Sequence, residues 1–490
     1  MFEQILTWTF RRMQKIQINY TKWLHCFLFA VVLTLNQYGN SQSTTFRPLP
    51  EAATLLSQYI QQKSLSGHEK EAGEFFANLC SSKGLFVEKL NSTGNHFSFS
   101  ASLYPLTDQR PNIIFLNHID VVSEGNINNW QHDPFSGYIS DSIVWGRGAI
   151  DLKGVAIMQL LAIERAKKWI PEDHPPFNIT LLCVAGEESD NQGIKNVIES
   201  SFKKLNPVVV YGEGGTGISR ISIANPEQSF FCISVAEKKA IGLKLSLKIN
   251  TSGHGSVPPT VYANKVMIQA LHRLLKKKNK IIFDETTADF FKTIGSYEKG
   301  IRRLALKYPR LFKPFIKKAL KKDPILISIL TNTITVSNIN NTPLPVNQIA
   351  PEVEVLLDCR LLPGTDPEKF FEDLRKRLNS KDILISVLKE TPTAPVSDKG
   401  VYYTHFKKSI EKVFTGSVVL PVLIPAHSDN NFFRKMGIPV YGLTPALLTN
   451  EQLRSIHNSN EYITFQQLQA GIEVYENLLK NIITPIPEAH

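Results

Sequence analysis

The sequence predicts an α/β fold built on a mainly parallel sheet, with a ferredoxin-like α+β domain inserted into it. Two observations point there. From Pro48 to about Phe230, short apolar β-rich runs alternate with patterns of helical spacing, the rhythm of strands joined by crossover helices. Beyond Phe230 the order becomes strand, helix, strand, strand, helix, strand, which is the split βαβ unit.

The strands of the first part are NIIFLNHID (112–120), NITLLCVAGEE (178–188) and PVVVYGEGG (207–215). A helix at VAIMQLLAIERAKKW (155–169) separates the first two, and one from about Ile194 to Lys204 separates the last two. The second part opens on the alternating run FCISVAEKKAIGLKLSLKIN (231–250) and the helix NKVMIQALHRLLKK (264–277). Strands ITVSNI (334–339) and EVEVLLDCRLL (352–362), the helix PEKFFEDLRKRLN (367–379) and the strand ILISVLKET (383–391) complete it. Alternation then resumes from about Thr393 to Ile483. The expected division is 46–229 and 393–490 for the α/β part and 230–392 for the inserted domain, with an extra helical insertion at 281–331.

Composition agrees with a globular chain of two or more domains: 490 residues, 42% hydrophobic and 20% charged. Arg11, Arg12, Lys15 and Lys22 precede the apolar stretch Trp23 to Leu35, and small and polar residues from Asn36 to Ser43 follow it. That pattern predicts a secretory signal over 1–41 and an exported chain, periplasmic or secreted. The apolar core is short for a membrane span, which needs about 20 residues, so a retained anchor is the lesser alternative. Losing this segment lowers the formal charge of +11 by three, since four bases and Glu3 go with it. No run interleaves Lys/Arg with aromatics, so no nucleic-acid partner is expected. The exported chain keeps Cys80, Cys183, Cys232 and Cys359, with no CxxC pair. Three of them sit in apolar strand-like runs, which predicts buried free thiols. Any metal must therefore be held by His, Asp and Glu.

One stretch stands apart. Residues 299–322 hold ten Lys/Arg and no acid, and Ile301, Leu304, Tyr308, Leu311, Phe315 and Leu320 fall roughly on one helical face. Pro309 and Pro314 should break or kink such a helix. The plainer expectation is a helical cap with a solvated basic face; the other is a weak membrane-surface contact.

Ligands of an open α/β sheet gather beyond the carboxyl ends of its strands, and all three leading runs place acidic or His residues there. His118 and Asp120 project from one strand face, although an isolated HxD is usually a loop pair. Asp151 lies in the glycine-flanked turn WGRGAIDLKG (145–154) just before a helix; by itself it reads as an N-cap. Glu187 and Glu188 leave an apolar strand in AGEES, Glu213 sits among glycines in YGEGG, and His457 stands in RSIHNSNEYIT before the last helix. Alone, each reads as loop or surface. Together they form an oxygen and nitrogen donor set suited to two Zn²⁺ ions that keep coordination open for water and substrate. One carboxylate would be shared, leaving a Glu free as general base.

The ordered motifs HID, GRGAIDLKG, GEE, GEGG, SGHGS (252–256), NQIAP (347–351) with DCR (358–360), and IHNSNEYI (456–463) resemble the zinc-dependent aminoacylase and carboxypeptidase family. That family includes bacterial glutamate carboxypeptidase and amino-acid deacylases. The likeness runs from about Leu56 to Ile483. Trp130, DPFSG (133–137), the extra stretch and the export signal are similar to its branch of carboxypeptidase S and secreted N-acyl-amino-acid hydrolases. The resemblance implies His118 and Glu213 on one zinc, Glu188 and His457 on the other, and Asp151 between them; Co²⁺ or Mn²⁺ would substitute. It further implies that Asp120 orients His118 and that Glu187 activates water. His254 would stabilise the oxyanion, while Asn347 and Arg360 would hold the substrate's carbonyl and carboxylate. The inserted domain becomes a lid or dimerisation domain, and the chain a monomer or homodimer. In dimeric relatives this His serves the neighbouring site.

Three departures stand out. Leu152 takes the place of a second Asp, Gly212-Glu213-Gly214 replaces Asp-Glu-Gly, and His427-Ser428-Asp429-Asn430-Asn431 replaces a Thr-Asp-Ser-Arg substrate loop. His427 thereby becomes a rival of His457 as ligand. The expected activity is cleavage of a peptide or N-acyl amide bond next to a C-terminal amino acid. A narrow biosynthetic deacylase and a non-catalytic binding protein on the same scaffold are the alternatives.

Overall fold

A computed structural model describes residues 50–90, 96–170, 176–250, 253–313, 324–341 and 343–483. The predicted signal and, within the basic stretch, Phe315 and Leu320 lie outside them. In chain order the strands are β1 (Phe86–Leu90), β2 (Ser98–Ser102), β3 (Asn112–His118), β4 (Ile139–Ser140), β5 (Ile143–Trp145), β6 (Asn178–Val184), β7 (Pro207–Ile218), β8 (Phe230–Glu237), β9 (Lys239–Lys248), β10 (Thr333–Asn341), β11 (Glu352–Leu361), β12 (Leu384–Glu390), β13 (Val418–Ile424), β14 (Val440–Leu447) and β15 (Tyr462–Thr464).

Eight of them form the central sheet, in the order β1-β2-β6-β3-β7-β14-β8-β13. The middle four, β6, β3, β7 and β14, are parallel. Every residue of β3 and of β6 is buried, which explains why these runs are continuously apolar: helices cover both faces. The helix Lys153–Ala166 packs against both strands and against the long last helix Phe465–Ile483. Only two of its residues, Glu164 and Arg165, escape burial, so its hydrophobicity runs almost all round.

The four-stranded sheet has the order β10-β11-β9-β12, antiparallel throughout. Helices Ala263–Lys276 and Pro367–Leu378 share one core with it, centred on Leu243, Leu245, Val355, Leu357, Met267 and Leu374. The alternation of β9 and β11 fits a sheet with one covered face: their residues alternate between buried and partly exposed.

Two features differ from the sequence reading. The run 231–250, expected to open the inserted domain at 230, divides at Lys238. Its first half, β8, pairs with β13 and β14 in the central sheet; only β9 belongs to the second sheet. All eight residues of β8 are buried, whereas β9 alternates between buried and partly exposed residues. The 281–331 insertion also leaves the four-stranded sheet. Its helix Glu285–Ser296 packs through Ile294 and Phe290 against Phe230, Cys232, Leu420 and Val422 of β8 and β13. All four described cysteines are free and buried; burial pushes the Cys232 thiol up to about 12.

The helix Gly300–Lys307 stops at Tyr308, before Pro309. Its apolar stripe does not face inward. Ile301 is 77% exposed and Leu304 50%, with Tyr308 at 47% and Leu311 at 78% just beyond. Among the described residues no helix is long and apolar enough to cross a membrane.

Candidate metal centre

Four acids (Asp151, Glu187, Glu188 and Glu213) and two histidines (His118 and His457) meet around the carboxyl ends of β3 and β6 and the middle of β7. His118 closes β3, with its side chain buried. Its Nε2 lies 3.1 Å from Asp151 Oδ1 and 3.8 Å from Glu213 Oε2. His457 Nε2 approaches the other side of the same carboxylate, 3.1 Å from Asp151 Oδ2, and stands 3.0 Å from Glu188 Oε1. Asp151 thus sits between two imidazoles, one oxygen to each. It does not cap the helix that follows: Leu152 holds that position without a side-chain cap. The turn carrying Asp151 needs its glycine, since Gly148 has φ +88° and a Cβ there would press on Val121 at 3.0 Å.

Ligand-type atoms of His118, Asp151 and Glu213 lie within 4.8 Å of one another, as do those of Asp151, Glu188 and His457. His118, Glu187 and Glu188 make a third such group. Burial would lower the His118 pKa, but the Asp151 hydrogen bond and the Glu213 charge raise it well above the usual imidazole value. Hydrogen bonds to Asp151 and Glu188 raise His457 to about 10. Burial would raise Asp151; the bonds from His118 and His457 outweigh it and hold the carboxyl well below its ordinary range. Glu187 is pushed well up by burial and by the Glu213 charge. Burial also pushes Glu213 up, with Asp151 and Glu188 adding to it against the pull of His118. Acids in excess of cations, crowded enough to hold protons, make a donor set that divalent cations would satisfy.

Asp120 acts differently from the sequence expectation. His118 Nδ1 lies 2.8 Å from the main-chain oxygen of Asp120, while the carboxylate is 3.8 Å away. The carboxylate instead accepts from the amides of Glu187 and Glu188, each at 3.1 Å, and from Ser66 Oγ at 2.7 Å. The strand end orients the imidazole; the side chain fixes the turn bearing both glutamates.

The remaining predicted residues stand on or beside the four-stranded sheet. His254 Nδ1 lies 2.6 Å from Ser256 Oγ and 3.2 Å from the Ser256 amide nitrogen. Its Nε2 accepts from Asn347 Nδ2 at 3.0 Å. Arg360 makes a fork with Asp358, at 2.8 and 3.2 Å, and its Nη1 donates to His427 Nδ1 at 2.9 Å. His427, the rival ligand, joins none of the donor groups found among the described residues. Burial and the Arg360 guanidinium lower the His427 pKa to about 4.

The sequence reading missed the residues that brace the centre. Glu461, four positions after His457 and 1% exposed, accepts from the amides of Ile150 at 2.8 Å, Asp151 at 3.1 Å and Gly148 at 3.0 Å. Its remaining partner is the buried Arg147, at 2.8 Å, which also donates to Asn458 O at 2.9 Å. One carboxylate therefore ties the His457 segment to the Asp151 turn. Glu237 does the same for the 427–431 loop: it accepts from Ser428 N, Ser428 Oγ, Asn430 Nδ2 and Arg434 Nη1. Asn430 Nδ2 also reaches Glu213 O at 2.8 Å. A cue existed for Glu461, an acid inside a motif next to a ligand, but its partners lie about 310 positions away.

A mostly parallel sheet that gathers His, Asp and Glu at its strand ends is the build of a metal-dependent peptidase or amidohydrolase. The profile of peptidase family M20/M25/M40 matches residues 114–481, and the chain belongs to that family. It is 26% identical over 390 residues to the N-fatty-acyl-amino acid synthase/hydrolase PM20D1 of Homo sapiens, covering 77% of this chain and 76% of the relative. A probable carboxypeptidase S-like 2 of Dictyostelium discoideum is 25% identical over 401 residues, covering 80% and 76%. Among solved structures, the M20 metallo-carboxypeptidase Sso-CP2 of Sulfolobus solfataricus superposes with a TM-score of 0.67 at 19% identity, covering 88% of this chain and 99% of that one.

Proposed function

We propose that the chain is an exported dizinc hydrolase that releases a C-terminal amino acid from a peptide or an N-acyl amide. The observation that carries this reading is Asp151, which takes part in both donor groups, with His118 and Glu213 on one side and Glu188 and His457 on the other. Those five residues would hold two divalent cations. When bound, such ions polarise a carbonyl and acidify water.

The protein's own groups do the rest. Arg360 has five N–H donors and commits three of them to Asp358 and His427. The other two suit a substrate carboxylate. As an imidazolium, His254 donates from Nε2 to the oxygen that gains charge as the carbonyl becomes tetrahedral, with the Asn347 amide beside it as a second donor. Glu187 takes a proton from the attacking water and hands it to the nitrogen as the C–N bond breaks, leaving a carboxylate and a free amino acid. The raised pKa of Glu187 suits a group that must accept and then return a proton. Its likeness to an N-fatty-acyl-amino acid synthase/hydrolase and a probable carboxypeptidase S-like protein favours hydrophobic N-acyl amino acids and C-terminal peptides as the substrates to try first. Export is supported by the basic flank and apolar core of 1–41; N-terminal sequencing of chain recovered outside the cytoplasm tests it.

The direct test is hydrolysis by zinc-loaded protein of dipeptides, short-chain and long-chain N-acyl amino acids, each with its C-terminal amide as control. Release only from substrates with a free carboxylate is expected. Equal turnover of the amide controls would overturn the role of Arg360.

A further inference from the structure

We propose that the outward face of the helix Gly300–Lys307 and the turn after it dock on an anionic lipid bilayer. Apolar residues at helical spacing normally mark a face turned to a core. Here the inward face is a different one. Leu306 packs on the body beside Ala305, and the neighbouring helix approaches so closely at Gly295 that a Cβ there would stand 2.9 Å from Leu306 Cβ. The helix is therefore firmly seated, and its seating leaves the stripe Ile301, Leu304 and Tyr308 outside, extended by Leu311, all half or more exposed or nearly so.

The charges around the stripe name its partner. Between 299 and 313 stand Lys299, Arg302, Arg303, Lys307, Arg310 and Lys313, with no acid. Arg302 is paired with Glu298 at 3.1 Å, and Lys313 donates to Ile281 O. Among the described residues, Lys299, Arg303, Lys307 and Arg310 form no ion pair. An apolar stripe bordered by unpaired bases suits a surface with negative headgroups above hydrocarbon: the side chains enter the acyl boundary and the long basic stems reach the phosphates. Two acids near the stripe, Glu285 and Asp289, line a hollow beside Lys307, Arg310 and Leu311 and are paired with Lys399. A protein partner would call for apolar complementarity bounded by acids of fixed position, whereas a bilayer supplies diffuse charge of one sign.

Amide exchange of the full chain, read on peptides from 299–313, tests the proposal locally, whatever the N-terminal segment does. With phosphatidylcholine vesicles containing phosphatidylserine, exchange there should slow by about threefold or more, and the slowing should fade in high salt. Vesicles of phosphatidylcholine alone should produce far less. The triple variant Ile301→Ser, Leu304→Ser, Leu311→Ser and the separate pair Arg303→Glu, Arg310→Glu should each abolish the slowing while keeping hydrolysis of a water-soluble substrate. Unchanged exchange with anionic vesicles overturns the proposal. So does slowing that persists in both variants, or slowing that follows protein concentration without lipid and thus reports a second copy of the chain.

Discussion

Asp120 works through two sets of atoms, and substitutions separate them. Its main-chain oxygen steadies His118 and survives any side-chain change; its carboxylate holds the amides of Glu187 and Glu188. Asp120→Ala should weaken metal binding by about 10–100-fold, measured by competition with a chromogenic chelator. The loss should fall mainly on the cation held by Glu188. Glu187→Gln should lower kcat by about 10²–10⁴-fold with the metal content of the purified protein unchanged; loss of metal would make Glu187 a ligand instead. Glu461→Gln removes the charge that the buried Arg147 faces and sets an N–H against backbone donors. It should cost about 3–5 kcal/mol in denaturant unfolding. His118, Glu187, Glu188 and Glu213 were legible because each interrupts an apolar or glycine-rich run along or just beyond a strand, whereas Asp151 and His457 stood out only within the ordered motifs. Glu461 and Glu237 were not, because what defines them is the company they keep from distant parts of the chain.

At the scale of elements, the helix Lys153–Ala166 begins on a lysine that is wholly buried. Lys153 Nζ donates to Tyr59 O at 3.1 Å and Gln62 O at 2.7 Å, yet burial lowers its pKa to about 7. The unfolded chain keeps this proton to above pH 10, so between about 7 and 10 unfolding takes up a proton and stability rises with pH. The stability difference between the wild type and Lys153→Met should therefore grow in the wild type's favour by about 1.4 kcal/mol per pH unit across that window. A flat difference in urea melts would show the ammonium to be solvated. Most elements were readable from periodicity, including the helices on the second sheet, whose ends fall within a residue of the expected ones. The division of 231–250 was not, since β8 and β9 are contiguous in sequence and only their partners differ. Nor was the outward turn of the 301–308 stripe: spacing gives a face, not its direction.

In the whole molecule, the chain passes between the two sheets at Lys238, near 278, near 332 and near 391. Buried Lys238 gathers one side of the junction, donating to Ser328 O at 3.1 Å, Thr331 O at 2.8 Å and Thr333 Oγ1 at 3.1 Å. The amide of Thr391 donates to Ala240 O at 2.9 Å, two residues further on. Lys238→Met should speed amide exchange at 331–333 and 391 while leaving the core of β3 and β6 as slow as before. Chelation should act on the opposite region: if the cations stand at about 100 times their Kd, removing each should cost about 2.7 kcal/mol and lower the Tm. The overall architecture was legible because alternation and split order are global rhythms; the junction was not, because it depends on which distant segments converge.

That convergence has a mechanical consequence. A flap fastened at one edge by two threads swings freely, whereas one fastened at four places, two of them joined by the Lys238 Nζ and a third pinned two residues on, has a pivot. Arg360, which faces Thr333 and Ala240 in the sheet register and touches His427 across the two sheets, stands at that same corner. Any travel of the four-stranded unit is then smallest beside Arg360 and largest at the far end of its strands, around Lys248, Glu352 and Leu384.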